Sequence, residues 1–450
     1  MNSIEAGSQA VTVLPPQPDT RSQTDRAADK DRLVGRLLVF FAIVYVVEGF
    51  GQVVGLINQP LTYYLKQVHG WSALQVTAFI ALFTVPWVIK PLYGLISDFL
   101  PLFGYRRKSY LLLANAAAIA GYFWVTQIES PGLLLAALMA TAYGMAISST
   151  LCGAVLVENG QRLSASGRFV NAQWLWFNVA AMLGAIVGGQ LVQRLTPSGA
   201  LHVAAGLVGI APFAVVVATL LLIPEQKRPI NVQGMREAWH GLTAAFRRRE
   251  LWLIAAFIFL YYFSPGLSTP LYFYMTDTLK FSQAYIGILG SIASAGWVIG
   301  ALLYRKFFGG LTLKALLNVS IVFGTVATAA YLLLFNETAA AILNFASGFA
   351  AMLATVATLT LAADYCPQRA EGFAFAILMS IINLANTAAD NAGSFLYTHV
   401  FHNSLTPLVI VSAAFTAFAL VLVPFLRLGN KRQGEAAGPV GLEPDGSTAR

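Results

Sequence analysis

The chain has 450 residues, 57% hydrophobic and only 11% charged, with a formal net charge of +8 and a mean hydropathy of +0.67. A soluble domain carries about 25% charged residues, so this composition excludes a water-soluble globule of the same size. The positive balance would suit nucleic acid, but its placement along the chain, given below, assigns it to membrane topology instead, and no nucleic-acid partner is expected.

Residues 1–31 are polar, contain Pro15, Pro16 and Pro18, and hold no apolar core. They predict a disordered cytoplasmic tail and lack the short apolar region of a signal peptide. A membrane-spanning helix needs about 20 mostly apolar residues. Within 32–223, six such segments run over 36–58, 73–96, 109–128, 132–156, 169–193 and 202–223. A polar stretch, 224–250, predicts a cytoplasmic linker. Within 251–428, six more run over 251–275, 284–304, 313–335, 339–362, 372–397 and 405–426, and 429–450 predicts a second disordered tail. The expected fold is an all-α membrane protein with twelve transmembrane helices.

The cations set the orientation, because cytoplasmic loops are enriched in Lys and Arg. Of 28 such residues, five lie at or before the first segment, fifteen in the even-numbered loops and four at the C-terminal end. The odd-numbered loops hold only Lys66, Arg194 and Lys280, and Lys90 sits inside the second segment. Both termini are therefore expected in the cytoplasm, with the protein in a cell (inner) membrane and the lipid bilayer as its solvent.

The two halves repeat. At an offset of 210 residues, Pro60-Leu61 meets Pro270-Leu271, Tyr64 meets Tyr274, Ser72 meets Ser282, and Trp87-Val88-Ile89 meets Trp297-Val298-Ile299. An offset of 207 pairs Gln161-Arg162 with Gln368-Arg369. Two parallel six-helix pseudo-repeats are the architecture of the major facilitator superfamily.

Chemistry-bearing clusters are few. Cys152 and Cys366 are far apart, and His69, His202, His240, His399 and His402 are scattered, so no disulfide framework, metal site or cofactor is expected. No nucleophile–base pair or phosphate-binding glycine loop indicates an enzyme. Ionisable groups inside membrane helices face the bundle interior or a cavity. Tyr45, Glu48 and Gln52 share one helix face, and Glu48 is either a proton carrier lining a central cavity or a fixed packing group. Asn171, Trp174 and Asn178 form a second stripe, and Asn383, Asn386 and Asp390 a third. Such amides either bridge helices, at about 0.6 kcal/mol each, or bind solute. Lys90 either attracts an anionic solute, snorkels to the interface or pairs with an acid. Tyr261 to Gly266, with Pro265 and Gly266, predicts a kink.

The segment Trp87 to Leu113 is the most specific. Gly94, Asp98, Gly104, Arg106 and Arg107 resemble the loop motif between helices 2 and 3 of major facilitators. The longer form, Lys90-Pro91-Leu92-Tyr93-Gly94, Ile96-Ser97-Asp98, Pro101, Gly104-Tyr105-Arg106-Arg107 and Ser109-Tyr110-Leu111, resembles the folate–biopterin transporter family of that superfamily. Val157-Glu158, Cys366-Pro367, Glu371-Gly372, Ala376 to Ile381 and Asn383 agree. Members commonly carry an Asp shortly before that Glu, whereas Leu151 to Val157 holds no acid.

The resemblance implies a secondary active transporter that moves folate, biopterin or a related pterin by alternating access, as a monomer coupled to protons. A facilitator-type permease for another organic solute, such as a muropeptide or nucleoside, is the alternative. It further implies a cytoplasmic gate of Lys90, Asp98, Arg106, Arg107, Glu158 and Arg162, with Asp364 and Arg369 from the second half. Amides, a carboxylate and Trp174 would suit a flat pterin ring.

Overall fold

The structure is a computed structural model that describes residues 23–52, 55–230, 232–247, 249–308, 310–365 and 371–426. It is built from α-helices, and eight of those described are long and apolar enough to cross a membrane. The first half contains α1 (Gln23–Gly51), α2 (Asn58–His69), α3 (Ala73–Leu82), α4 (Val85–Val88), α5 (Lys90–Phe99), α6 (Lys108–Val125), α7 (Pro131–Leu163), α8 (Ser166–Arg194) and α9 (Pro197–Leu222). A linking helix, α10 (Val232–Phe246), follows. The second half contains α11 (Arg249–Tyr262), α12 (Ser268–Asp277), α13 (Gln283–Phe307), α14 (Leu313–Ala329), α15 (Glu337–Tyr365), α16 (Glu371–Phe395) and α17 (Leu405–Leu422).

Three spans are broken, and each break has a local cause. In the second span, Pro86 and Pro91 sit in the first turns of α4 and α5. A proline there removes no helical hydrogen bond but ends the segment before it. The first span stops at Gly51 and resumes at Asn58. A Cβ on Gly55 would lie 2.5 Å from the Phe50 carbonyl oxygen, so the turn back toward α1 needs glycine. The seventh span breaks between Tyr262 and Ser268, over Phe263 to Leu267, which bears out the kink expected at Pro265 and Gly266.

Two sequence expectations are corrected. Hydropathy ends the first span at 58, yet Asn58–His69 is helical and buries Leu61, Tyr64 and Leu65 completely. Two of its polar side chains, Gln59 and Lys66, bond to the second half, and the stretch does not form a loop. Residues 23–31, expected as disordered tail, form the start of α1. That stretch is rich in Ala, Asp, Arg and Lys and extends an apolar helix, so propagation needs no new nucleus. Residues 1–22 and 427–450 lie outside the described residues.

The repeat holds where the broken spans turn. Asn58 and Ser268 start α2 and α12, and Ala73 and Gln283 start α3 and α13, all at the 210-residue offset. Ser72 and Ser282 each accept a hydrogen bond from the backbone N–H three residues on, the capping geometry that starts a helix. Both Pro60 and Pro270 occupy the third helical position.

Burial shows how the halves meet. One hydrophobic core runs through the first half and continues into Leu271, Tyr272, Phe273, Ile286, Leu289, Leu408 and Val409 of the second. A separate core, around Leu251, Ile258, Leu316, Leu361 and Leu378, fills the terminal side of the second half. The halves are therefore fused at the face away from the chain termini and carry distinct cores at the other.

Candidate functional site

Glu48 sits in the last turn of α1 and is only 7% exposed. Its Oε1 accepts hydrogen bonds from Gln52 Nε2 at 2.8 Å and from Ser149 Oγ of α7 at 2.8 Å. Lys90 Nζ donates to the same Ser149 Oγ at 3.1 Å and lies 4.1 Å from the centre of the Trp87 ring. One hydroxyl thus joins the buried acid to the half-buried cation. Glu48 Oε2 and Tyr45 Oη are buried and have no hydrogen-bond partner among the described residues. The family motif groups Lys90 with the cytoplasmic charges; the geometry places it in this interior group, where the break between α4 and α5 turns it inward.

A second cluster occupies the hinge between α5 and α6. Arg107 is 4% exposed; its Nη2 lies 2.5 Å from Asp98 Oδ1 and 2.8 Å from Glu158 Oε1, and its Nη1 donates to Ser97 Oγ at 2.5 Å. Arg106 reaches the same two acids at 3.3 and 3.4 Å. Two guanidinium forks and two carboxylates make a charge-assisted network. Gly104, at φ +86°, turns the chain beneath Lys227, and its carbonyl accepts from the Arg228 backbone N–H at 2.9 Å. Among the described residues, Arg162 bonds its neighbour Asn159 at 2.9 Å and does not reach this network. Arg369 lies outside the described residues, as does the side chain of Asp364.

Glu225, just after α9, was not identified from sequence. Its carboxylate accepts from the backbone N–H groups of Arg106 at 2.9 Å, Arg107 at 3.0 Å and Lys108 at 2.8 Å. These are orphan donors at the N-terminus of α6, where the helix dipole also favours an anion. Glu225→Ala should cost about 1 kcal/mol, within the usual capping range, read as a lower melting temperature in detergent. Glu225→Gln, which keeps the acceptor oxygen, should lose less.

A cavity of about 380 Å³ lies between the halves, where the two broken spans face each other. Its walls come from α2, α3, α8, α12, α13 and α16, and Asp390 is the only charged lining residue among those described. Ser268 Oγ donates to Asp390 Oδ1 at 2.9 Å, and the Gly266 N–H donates to the Ala389 carbonyl at 2.8 Å. A Cβ on Gly266 would collide with Asp390 Oδ1, so glycine lets the break of the seventh span lie directly on α16.

The cavity is roofed at the face away from the termini. Lys66 Nζ meets Asp277 Oδ1 and Thr276 Oγ1, both at 2.5 Å, and lies 4.3 Å from the Phe273 ring centre. Gln59 Nε2 donates to the Gln283 carbonyl at 2.8 Å, and Thr77 and Ser394 share a hydrogen bond of 2.8 Å. Lys66 and Thr276 are 210 residues apart, so this latch lies on the axis of the repeat.

The other sequence candidates divide. The Trp174 and Trp297 rings pack with centres 5.1 Å apart and planes tilted by 31°, joining α8 to α13 across the halves. Asn178 is buried and donates to the Trp174 carbonyl of its own helix at 2.8 Å. Asn171 and Asn386 are exposed and Asn383 is half-buried. Of the two amide stripes, only Asp390 lines the cavity. Ser149, Ser268 and the Lys66–Asp277 pair were missed, since hydroxyls and loop charges carry no spacing signal alone.

Residues 50–435 match the sequence profile described as the BT1 family. A "Folate-biopterin transporter" of Synechocystis is 29% identical over 416 residues, covering 86% of this chain and 80% of that protein. "Folate transporter 1" of Plasmodium falciparum is 24% identical over 359 residues, covering 76% and 69%. Among solved structures, a point mutant of the nucleoside transporter NupG superposes with a TM-score of 0.66 at 14% identity, covering 87% of this chain and 98% of that one. The inward-open xylose transporter XylE from E. coli gives 0.64 at 13%, covering 87% and 95%. At such identities these likenesses establish fold alone: twelve transmembrane helices in two six-helix repeats, the major facilitator architecture.

Proposed function

The chain belongs to the BT1 family, and on that premise we propose that it is a secondary active transporter that carries folate, biopterin or a related pterin across a membrane by alternating access. Bundles 32–223 and 251–428 are the moving bodies, joined by the linker 224–250. The observation that carries this reading is the cavity between the halves, which meets two broken helices and is latched at the face away from the termini. A solute enters from the latched face when the latch opens and the opposite ends close, and leaves at those ends when they part again.

The basic loops favour a cytoplasmic placement of both termini, so the latched face is the outer one. Asp98, Arg106, Arg107 and Glu158 sit at the hinge that must move for the inner ends to close. They are all on the first half, and the second-half partners expected for them are Asp364 and Arg369. Glu48, with Gln52, Ser149 and Lys90, is the candidate proton carrier. The relatives named for folate and biopterin support the substrate class.

Purified monomer in proteoliposomes tests the reading, with labelled biopterin, folate and unrelated solutes supplied with and without an imposed pH gradient. Saturable pterin uptake, raised by an inward proton gradient, is expected. Saturable uptake of a non-pterin alone would sink the substrate and favour the permease for another organic solute.

A further inference from the structure

Resting on the reading above, we propose that the cavity selects an uncharged pterin over folate because no cation lines it among the described residues, and that Asp390 orients the solute by binding the amino-pyrimidinone edge of the ring. A pterin presents a ring N–H and an exocyclic amino group side by side. Two parallel donors match a carboxylate in a bidentate pair, which fixes orientation as well as adding strength.

Asp390 is placed for that pairing. Among the described residues it is the only charged one lining the cavity, and its one hydrogen bond comes from Ser268 to Oδ1. An ionised carboxylate offers about four acceptor positions, so capacity remains on both oxygens. The Ser268 bond and the close Gly266 backbone hold the carboxylate in place, and so less ordering is lost on binding. At about 380 Å³, the cavity lies in the size range of small-molecule sites.

The charge pattern excludes folate's glutamate tail from the same space. Among the described residues, no Lys, Arg or His lines the cavity. Two further carboxylates would lose water with no cation to receive them, beside an acid already present, and unpaired buried charge is expensive. Lys90, outside the lining, already shares Ser149 with Glu48. An uncharged side chain such as that of biopterin meets none of these costs.

The test is competition against labelled biopterin uptake by the wild-type protein in proteoliposomes. Unlabelled folate should compete at least about tenfold more weakly than biopterin, the factor that corresponds to about 1.4 kcal/mol. Lumazine, which replaces the amino group by a carbonyl and sets an acceptor against the carboxylate, should be weaker by at least about the same factor. Folate or lumazine competing equally with biopterin overturns the proposal while leaving a pterin carrier intact. No uptake of any pterin overturns both. Guanosine bears the same edge on a different ring system, and its uptake in preference to biopterin overturns the assignment to a pterin. Asp390→Asn, monodisperse on gel filtration, should lose at least about tenfold in biopterin uptake and Asp390→Glu less. Unchanged uptake by Asp390→Asn overturns the role of the carboxylate.

Discussion

Glu48→Gln is expected to abolish accumulation of solute against its gradient while leaving downhill exchange measurable. One proton moving down one pH unit supplies about 1.4 kcal/mol, enough for about tenfold accumulation of a neutral solute. The variant should therefore fall from about tenfold per pH unit to none. The geometry explains why the swap is informative. Oε1 already accepts from Gln52 and Ser149, whereas Oε2 is buried without a partner among the described residues. A proton bound at Oε2 would leave both existing bonds in place. Glutamine keeps the acceptor at Oε1 and puts a neutral amide at the other position, so it imitates the protonated acid without releasing anything. Counterflow of labelled pterin checks that the variant is folded and mobile. Normal accumulation with unchanged pH dependence would instead make Glu48 a packing residue.

Much of this architecture is written in periodicities, and the gaps are informative. The repeat offset of 210 places Pro60 opposite Pro270 and Tyr64 opposite Tyr274, and the helices α2 and α12 begin at that same offset. Hydropathy alone ends the first span at 58, because Asn58 to His69 is polar by composition. The stretch is nonetheless helical, with Tyr64 buried and donating to the Glu129 carbonyl at 2.6 Å. The repeat contains the correction, since its partner sits within an apolar segment. Among the chemistry-bearing residues, Glu48, Asp98 and Asp390 stand out because charge in an apolar run is rare. The hydroxyl partners of Glu48 and Asp390, Ser149 and Ser268, do not, since hydroxyls occur throughout membrane helices. Lys90 is legible as unusual and not as interior. Its placement depends on two prolines cutting the second span, and the turn they impose has no counterpart in a hydropathy profile.

Arg107→Ala should be the most destabilising change in the charged hinge. Removing one member of a buried ion pair costs about 3–5 kcal/mol, because its partner is left uncompensated. Here the side chain is 5% exposed, but Asp98 and Glu158 are 36% and 43% exposed. Water reaches both acids, so the low end of that range applies. Arg107→Lys keeps the charge but loses the planar fork that holds Ser97, Asp98 and Glu158 together, and an intermediate loss follows. Arg106→Ala removes contacts of 3.3 and 3.4 Å made by a more exposed side chain. It should cost about 0–1 kcal/mol, as for surface pairs. Melting in detergent should rank the variants in that order, and equal losses for Arg106→Ala and Arg107→Ala would refute the network. Asp98→Asn separates stability from motion. It leaves Arg107 paired with Glu158, so the protein should fold, while the transport rate should change because the guanidinium network has lost one of its two carboxylates. Loss of folded protein without a change in rate per molecule would mean that the cluster holds α5 to α6 and plays no part in the cycle.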